Sequence, residues 1–242
     1  MLTLLSGRNA DLSCETLHRL QRFRHKVFIE ELGWLLPNGD GIESDEFDHP
    51  DTLYVIALDH GGEIVGCGRL LPTDEPYLLG QVFPNLMGGA RLPSTRSVWE
   101  LSRFAISTPR GALRTAEESW QNTRCLMAEI VHVAQAHGAK RLIAFSVLGN
   151  ERLLKRMGVN VHRAAAPQMV EGKPTLPFWI EIDQQTRAAL NIDTSERSRP
   201  PLNSDRTRFV PMRPSAMPHR RGAPRNEKFE RCGSANPGPK ER

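Results

Sequence analysis

A carboxylate, a hydroxyl and a guanidinium interrupt an otherwise apolar, β-prone run at Ser97-Val98-Trp99-Glu100-Leu101-Ser102-Arg103-Phe104-Ala105-Ile106. The run reads as a buried strand, and burying charge without partners is costly. Glu100 and Arg103 therefore form either a structural ion pair or part of a reaction site. Upstream, Arg24 and Phe28 stand four residues apart on a helical pattern, so they share a face, and Trp34 lies just past its end. Asp45 and Asp48 flank Phe47 in an acidic stretch, and Arg69 follows Gly66-Cys67-Gly68. Taken singly, each has an ordinary reading: core aromatics, a surface arginine, a solvated acidic loop.

Several site chemistries are excluded by motif. The acidic stretch lacks the D-x-[DN]-x-[DN]-G order of a calcium loop. Gly66-Cys67-Gly68 lacks the third glycine and the following helix of a dinucleotide fingerprint. No phosphate-binding Walker loop and no HExxH occur, and Ser102 is not in a GxSxG elbow.

The elements that position these residues follow from periodicity. Residues 2–6 predict a strand, and 11–31 a helix with Asp11 as its N-cap and apolar residues at Leu12, Leu17, Leu20, Phe23, Val27 and Phe28. A loop containing Pro37 and Asn38 comes next. Residues 52–59 and 63–71 predict a hairpin around His60-Gly61-Gly62. Residues 73–96 are turn-rich, with at most one helical turn near Tyr77–Phe83. The polar-interrupted strand, 97–107, ends at Pro109 and Gly111, and a long helix follows over 114–137, closed by Gly138. A strand at 141–148, a short helix at 150–157 and closing strands within 159–182 complete the pattern. This order predicts an α/β (α+β) fold, one mixed sheet packed by helices.

The 242 residues carry a formal charge of +4 and a pI of about 9.1, which invites a nucleic-acid reading. The charge is uneven, however. Residues 195–242 hold 12 Lys and Arg against 5 Asp and Glu, leaving 20 against 23 in the remainder. The basicity belongs to a Pro/Arg-rich tail, 193–242, that lacks a periodic apolar pattern and is expected to be disordered. The folded domain, 1–192, is mildly acidic. Four scattered cysteines with no CxxC pair predict reduced thiols and no structural zinc. No signal-peptide pattern and no run near the roughly 18 apolar residues of a span is present, so a cytoplasmic protein is expected.

Together, Arg24, Phe28, Trp34, Asp45, Asp48, Arg69, Glu100 and Arg103 resemble the signature of the acyl-homoserine-lactone synthases, the bacterial autoinducer synthases. The strings Arg24-His25-Lys26-Val27-Phe28-Ile29-Glu30-Glu31-Leu32-Gly33-Trp34, Asp45-Glu46-Phe47-Asp48 and Glu100-Leu101-Ser102-Arg103-Phe104 carry the match, over about residues 1–190. The resemblance is nearest to the branch making medium-chain, octanoyl-type signals. It implies a fold like that of the GCN5-related N-acetyltransferases. It also implies an acyl-[acyl carrier protein] donor and S-adenosylmethionine consumed as a substrate, with no separate cofactor.

Under that resemblance, Glu100 is the base that strips the α-amine, whose pKa of roughly 7.7–8.0 leaves it mostly protonated at neutral pH. Backbone N–H groups of Leu101–Arg103 or the Ser102 hydroxyl stabilise the thioester oxyanion. Arg24 and Arg103 hold the S-adenosylmethionine carboxylate, while Phe28, Trp34 and Asp45 take the sulfonium and adenosine. Asp48 and Arg69 pair behind them. Leu101, Phe104, Leu126, Met127, Ser146, Val147 and Trp179 are candidates for the acyl pocket, although each could equally be ordinary core. Lys140, Arg141, Arg152, Lys155 and Arg156 are candidates for docking the acidic carrier, or form a solvated face.

One geometric demand follows. Regular alternation puts Glu100 and Arg103 on opposite faces of a strand, so a shared site requires a β-bulge near Leu101–Arg103. The competing readings are a plain acetyl-CoA-dependent N-acetyltransferase and nucleic-acid binding through the tail. The first expects a pyrophosphate loop that Thr108-Pro109-Arg110-Gly111-Ala112-Leu113-Arg114 does not match.

Overall fold

The computed structural model describes residues 2–34, 40–107 and 115–192. The expectations for Pro37 and Asn38, for Thr108–Arg114 and for the 193–242 tail lie outside the described residues. Among the described residues eight strands are formed: β1 (Thr3–Arg8), β2 (Leu53–Leu58), β3 (Ile64–Pro72), β4 (Val98–Ile106), β5 (Arg141–Val147), β6 (Val161–Arg163), β7 (Gln168–Val170) and β8 (Lys173–Glu181). The helices are α1 (Cys14–Arg24), α2 (Leu78–Gln81), α3 (Ala116–Ala136), α4 (Leu148–Arg156) and α5 (Gln184–Ala189). No helix among the described residues is long and apolar enough to cross a membrane.

The expected elements are present, with local corrections. Ser13, not Asp11, caps α1: its hydroxyl accepts from Thr16 N, while Asp11 closes a preceding 3₁₀ turn. Beyond Arg24 the helix widens into π turns over His25–Glu31, and Leu32 N reaches back five residues to Val27 O. The expected hairpin turns at Gly62, whose φ of +79° suits glycine. Helix α5 carries no strong pattern and is an addition to the expected order.

The sheet runs β1-β2-β3-β4-β5-β8-β6, with β7 pairing β8 off this path. Only β4 and β5 are parallel, and α3 makes their crossover. Their pairing covers Val98–Leu101 against Arg141–Ala144 and then stops. Beyond that level β4 continues with β3, and β5 continues with β8, so the two central strands part.

The bulge is there. Cys67 pairs with Ala105 and Arg69 with Ser102, so Arg103 and Phe104 together oppose Gly68 alone. Arg103 takes a φ of +51°, the left-handed conformation that opens such bulges. As a result Ser102 and Arg103 both serve the face that Glu100 serves, and Phe104 turns to the other side.

That other side packs on α3 and α4, where Leu101, Leu126, Met127, Ile130, Leu142 and Phe178 form the main core. The first face holds two smaller clusters. One gathers under α1 around Leu20, Phe23, Phe28 and Cys67. The other gathers around Leu71, Leu79, Val98 and Ile143. Alternation along β3 gives Cys67, Arg69, Leu71, and along β4 Val98, Glu100, Ser102. The polar residues therefore occupy the strip between two apolar clusters.

Close approach of α3 to the bulge needs Gly68, where an added Cβ would lie 2.6 Å from Ile130 Cδ1. Gly68→Ala should cost about 1–3 kcal/mol in urea unfolding. Adding Ile130→Val, which removes that terminal methyl, should recover part of the loss.

Candidate active site

Helix α1 exists because a capped start leads into apolar residues at Leu17, Leu20, Phe23 and Val27, one edge of which buries against the sheet. Arg24 rides on that edge and is only 1% exposed. The π turns then carry Phe28 and Trp34 together. Trp34 N donates to Phe28 O at 2.9 Å, and the rings stand 5.0 Å apart. The Arg103 guanidinium lies 5.6 Å from the Phe28 ring centroid and 5.9 Å from that of Trp34, within cation–π range.

The acidic loop is tied down from both ends. Glu43 N donates to Gln21 O, Asp45 N to Asp48 Oδ2, and Phe47 N to Asp45 Oδ1. The Phe47 ring is buried and the Thr52 hydroxyl donates to its carbonyl. Thus fixed, the loop presents three carboxylates to three arginines. Arg24 binds Glu43 through Nε and Asp48 through Nη1 at 2.8 Å. Arg103 reaches Glu43 Oε1 and Asp45 Oδ2, both at 2.8 Å from Nη2. Arg69 Nη1 bonds Asp45 and, at 2.8 Å, Asp48. The contacts close a ring of alternating charge: Arg24, Glu43, Arg103, Asp45, Arg69, Asp48 and back to Arg24.

The electrostatics follow from burial within this ring. Burial alone would raise the Glu43 and Asp48 carboxyls, but the guanidinium neighbours outweigh it and hold both below the usual range. Tyr54 adds a hydrogen bond to Asp48 Oδ1, and burial beside that carboxylate pushes the phenol far above its ordinary value. Burial likewise works against the Arg24 and Arg69 charges, and the surrounding carboxylates keep both fully protonated. Arg24 Nη2 and Arg69 Nη2 are buried donors without a hydrogen-bond partner among the described residues.

Glu100 stands beside the ring and behaves oppositely. It is fully buried, and burial raises its carboxyl despite hydrogen bonds from Leu79 N at 2.6 Å and Leu78 N at 3.1 Å. Ser102 stands between the two systems. Its Oγ accepts from Arg69 Nε at 3.0 Å, and it lies two residues along β4 on the same face as Glu100. A buried carboxyl whose pKa burial raises, with a hydroxyl beside it on the same face, is equipped to take and return a proton.

Comparison with known proteins decides what this arrangement belongs to. Residues 9–190 match the family model described as autoinducer synthase. The chain belongs to the autoinducer synthase family. It is 43% identical over 185 residues to an acyl-homoserine-lactone synthase of Ralstonia solanacearum, covering 76% of this chain and 90% of that one. Among solved structures, TofI in a ternary complex with an inhibitor and MTA is 39% identical with a TM-score of 0.71, covering 80% of this chain and 98% of that one. BjaI, described as a CoA-dependent acyl-homoserine lactone synthase with SAM and isopentyl-CoA, is 28% identical with a TM-score of 0.70, covering 81% and 90%. An acyl-CoA N-acyltransferase from Pseudomonas aeruginosa, 16% identical with a TM-score of 0.50, shares the fold. This chain is therefore an acyl-homoserine-lactone synthase, an acyltransferase on the mixed-sheet fold of the N-acetyltransferases.

The synthase brings all eight signature residues to one face, but not in the expected division of labour. Arg69 and Asp48 pair as expected. Arg24 does not open to a ligand; it is buried against Glu43 and Asp48. Arg103 is held by Glu43 and Asp45, and Asp45 is the ring's most exposed carboxylate. Glu43 and Tyr54 were missed. The signal that could have found Glu43 is charge balance: three buried arginines facing only Asp45 and Asp48 leave one cation in need of a partner.

The seven acyl-pocket candidates do not share one side. Leu101, Phe104, Leu126 and Met127 belong to the α3 side, and Trp179, opposite Ile143 on β8, packs on the Glu100 side. Strand alternation enforces this split. Ser146 and Val147 are half-buried at the end of β5, and Ser146 Oγ accepts from Asn150. The docking candidates are also divided. Arg141 bonds Glu181 and stacks 4.2 Å from the Trp179 ring, Lys155 pairs with Glu151, and Arg156 lies over Trp120. Lys140 and Arg152 are exposed.

Because Glu43 and Asp48 titrate below their unfolded values, they stabilise the fold fully above the ordinary carboxylate range of about 4, and that stability is lost as pH falls from there through their lowered values. Glu43→Gln should lower stability at neutral pH by about 3–5 kcal/mol, as for a broken buried pair. It should also flatten the acid limb of the stability profile, measured by urea unfolding at a series of pH values. Parental stability in this variant would contradict a closed ring.

Proposed function

We propose that this synthase uses S-adenosylmethionine and a medium-length acyl-[acyl carrier protein] to form an N-acyl-L-homoserine lactone in the cytoplasm, with no cofactor beyond these two substrates. One observation carries the reading: the bulge sets Glu100, Ser102 and Arg103 on one face at the level where β4 and β5 part. The opening between those strands gives a thioester arm a route to Glu100. An acyl chain passing through it meets residues of both sheet faces, which accounts for the split among the pocket candidates.

The reaction then has two steps. Glu100, through the Ser102 hydroxyl or a water, takes a proton from the α-ammonium of S-adenosylmethionine. Burial raises the Glu100 carboxyl toward a pKa useful for this transfer. The free amine attacks the thioester carbonyl, and the tetrahedral oxyanion meets N–H groups of the bulged segment. The C–S bond of the thioester breaks, and the carrier thiolate leaves and is protonated. The substrate carboxylate, aligned by Arg103, next attacks its own γ-carbon. The bond to sulfur breaks, methylthioadenosine departs, and the lactone ring closes.

Phe28 and Trp34, with Asp45 nearby, receive the sulfonium and adenosine, and the half-buried Trp34 is the reachable ring. Arg24 acts through Glu43 and Asp48, which fix Arg103 and the loop. The carrier docks against Lys140 and Arg152. BjaI supports a second donor class, acyl-CoA, for a relative of this chain.

Incubation with S-adenosylmethionine and short, medium and long acyl donors, on carrier protein and on CoA, should give most lactone from medium-chain carrier thioesters by mass spectrometry. Preference for CoA thioesters would replace the donor assignment. Glu100→Gln should cut turnover about 100-fold or more while S-adenosylmethionine binding is retained. Lys140→Glu with Arg152→Glu should raise the KM for the acyl carrier and leave that for S-adenosylmethionine unchanged. An equal effect on both would remove the docking face.

A further inference from the structure

Gly66-Cys67-Gly68 is the one conspicuous sequence feature that the reaction above does not use, and it lies directly across from the bulge. The two glycines allow close packing. A Cβ on Gly66 would come within 2.9 Å of Ile106, and one on Gly68 within 2.6 Å of Ile130. The residue between them makes a polar contact. Cys67 Sγ donates to the carbonyl oxygen of Arg103 at 3.0 Å.

The ladder jumps from Ser102 to Ala105, so Arg103 has no register partner of its own on β3. A buried backbone carbonyl left without a donor costs free energy. The surroundings exclude water, since Cys67 is 1% exposed within the cluster of Phe23, Val27, Phe28 and Ala105. Arg103 also holds an unfavourable φ of +51° without being glycine, which local contacts must maintain. Burial pushes the Cys67 thiol up to about 12, so the donor proton is retained across the working range.

We infer that Cys67 is a positioning residue of this synthase: its thiol caps the Arg103 carbonyl and holds the left-handed turn that aims the guanidinium at Glu43, Asp45 and the aromatic pair. The inference rests on the reading that Arg103 serves the S-adenosylmethionine site. It concerns the donor hydrogen, not thiol reactivity, and so predicts that serine replaces cysteine.

Steady-state kinetics on the full chain with Cys67→Ala, Cys67→Val, Cys67→Ser and Arg103→Lys separate the possibilities. Loss of the donor in Cys67→Ala and Cys67→Val should raise the KM for S-adenosylmethionine about tenfold, the size of one neutral hydrogen bond. The KM for the acyl donor should stay within about twofold, and Cys67→Ser should restore the parental KM. Parental kinetics in Cys67→Ala, or Cys67→Ser as impaired as Cys67→Val, would overturn the inference, the second by showing that packing alone matters. An unchanged KM for S-adenosylmethionine in Arg103→Lys would instead overturn the reading of Arg103 on which the inference rests.

Discussion

Six charged side chains in a closed, alternating ring are the constraint on which the rest of this synthase depends. Each guanidinium of Arg24, Arg69 and Arg103 touches two carboxylates, and each of Glu43, Asp45 and Asp48 touches two guanidiniums. Buried singly, any of them would carry a large desolvation cost. Closed on itself, the ring is neutral and most of its hydrogen-bonding capacity is used. The same closure makes it intolerant, because removing one member leaves two partners exposed to the same cost.

The ring also ties together segments that are distant in the chain. Arg24 comes from α1, the three carboxylates from the loop before β2, Arg69 from β3 and Arg103 from the bulge of β4. Two apolar clusters wall the strip on either side. What remains accessible is its edge: Asp45 and the half-buried Trp34, which backs onto the buried Phe28. Ser102, bonded to Arg69 of this frame, shares a face with Glu100, whose carboxyl burial raises. Glu43 and Asp48, held below the usual carboxylate range, thus stand beside one acid that burial shifts the other way.

The sequence revealed much of this through contradictions as well as patterns. Glu100 and Arg103 could share a site only on an irregular strand, so period-two geometry itself demands the bulge. The irregularity is centred on Arg103 and Phe104, slightly past the expected place. The hairpin at His60-Gly61-Gly62 and the helix end at Gly138 were legible because glycine marks positive φ. Glu43 was not, because an acidic loop residue looks the same solvated or buried, and only a count of buried charge separates the two. The π turns after Arg24 leave the helical spacing nearly intact, so periodicity alone did not show them. The acyl-pocket candidates come from the polar-interrupted strand, the long helix and the elements after it, and membership of those elements says nothing about which side of the sheet a residue takes when strands part.

The central claim is that the ring acts as one unit that fixes Arg103. A double-mutant cycle between Arg24→Met and Arg103→Met tests it most directly, since these two arginines meet only through Glu43 and, around the other side, through Asp48, Arg69 and Asp45. Urea unfolding of the parent, both single variants and the double variant should give a coupling of about 1–3 kcal/mol. Losses that add to within about 0.5 kcal/mol would mean that the arginines are independent and that no such unit exists.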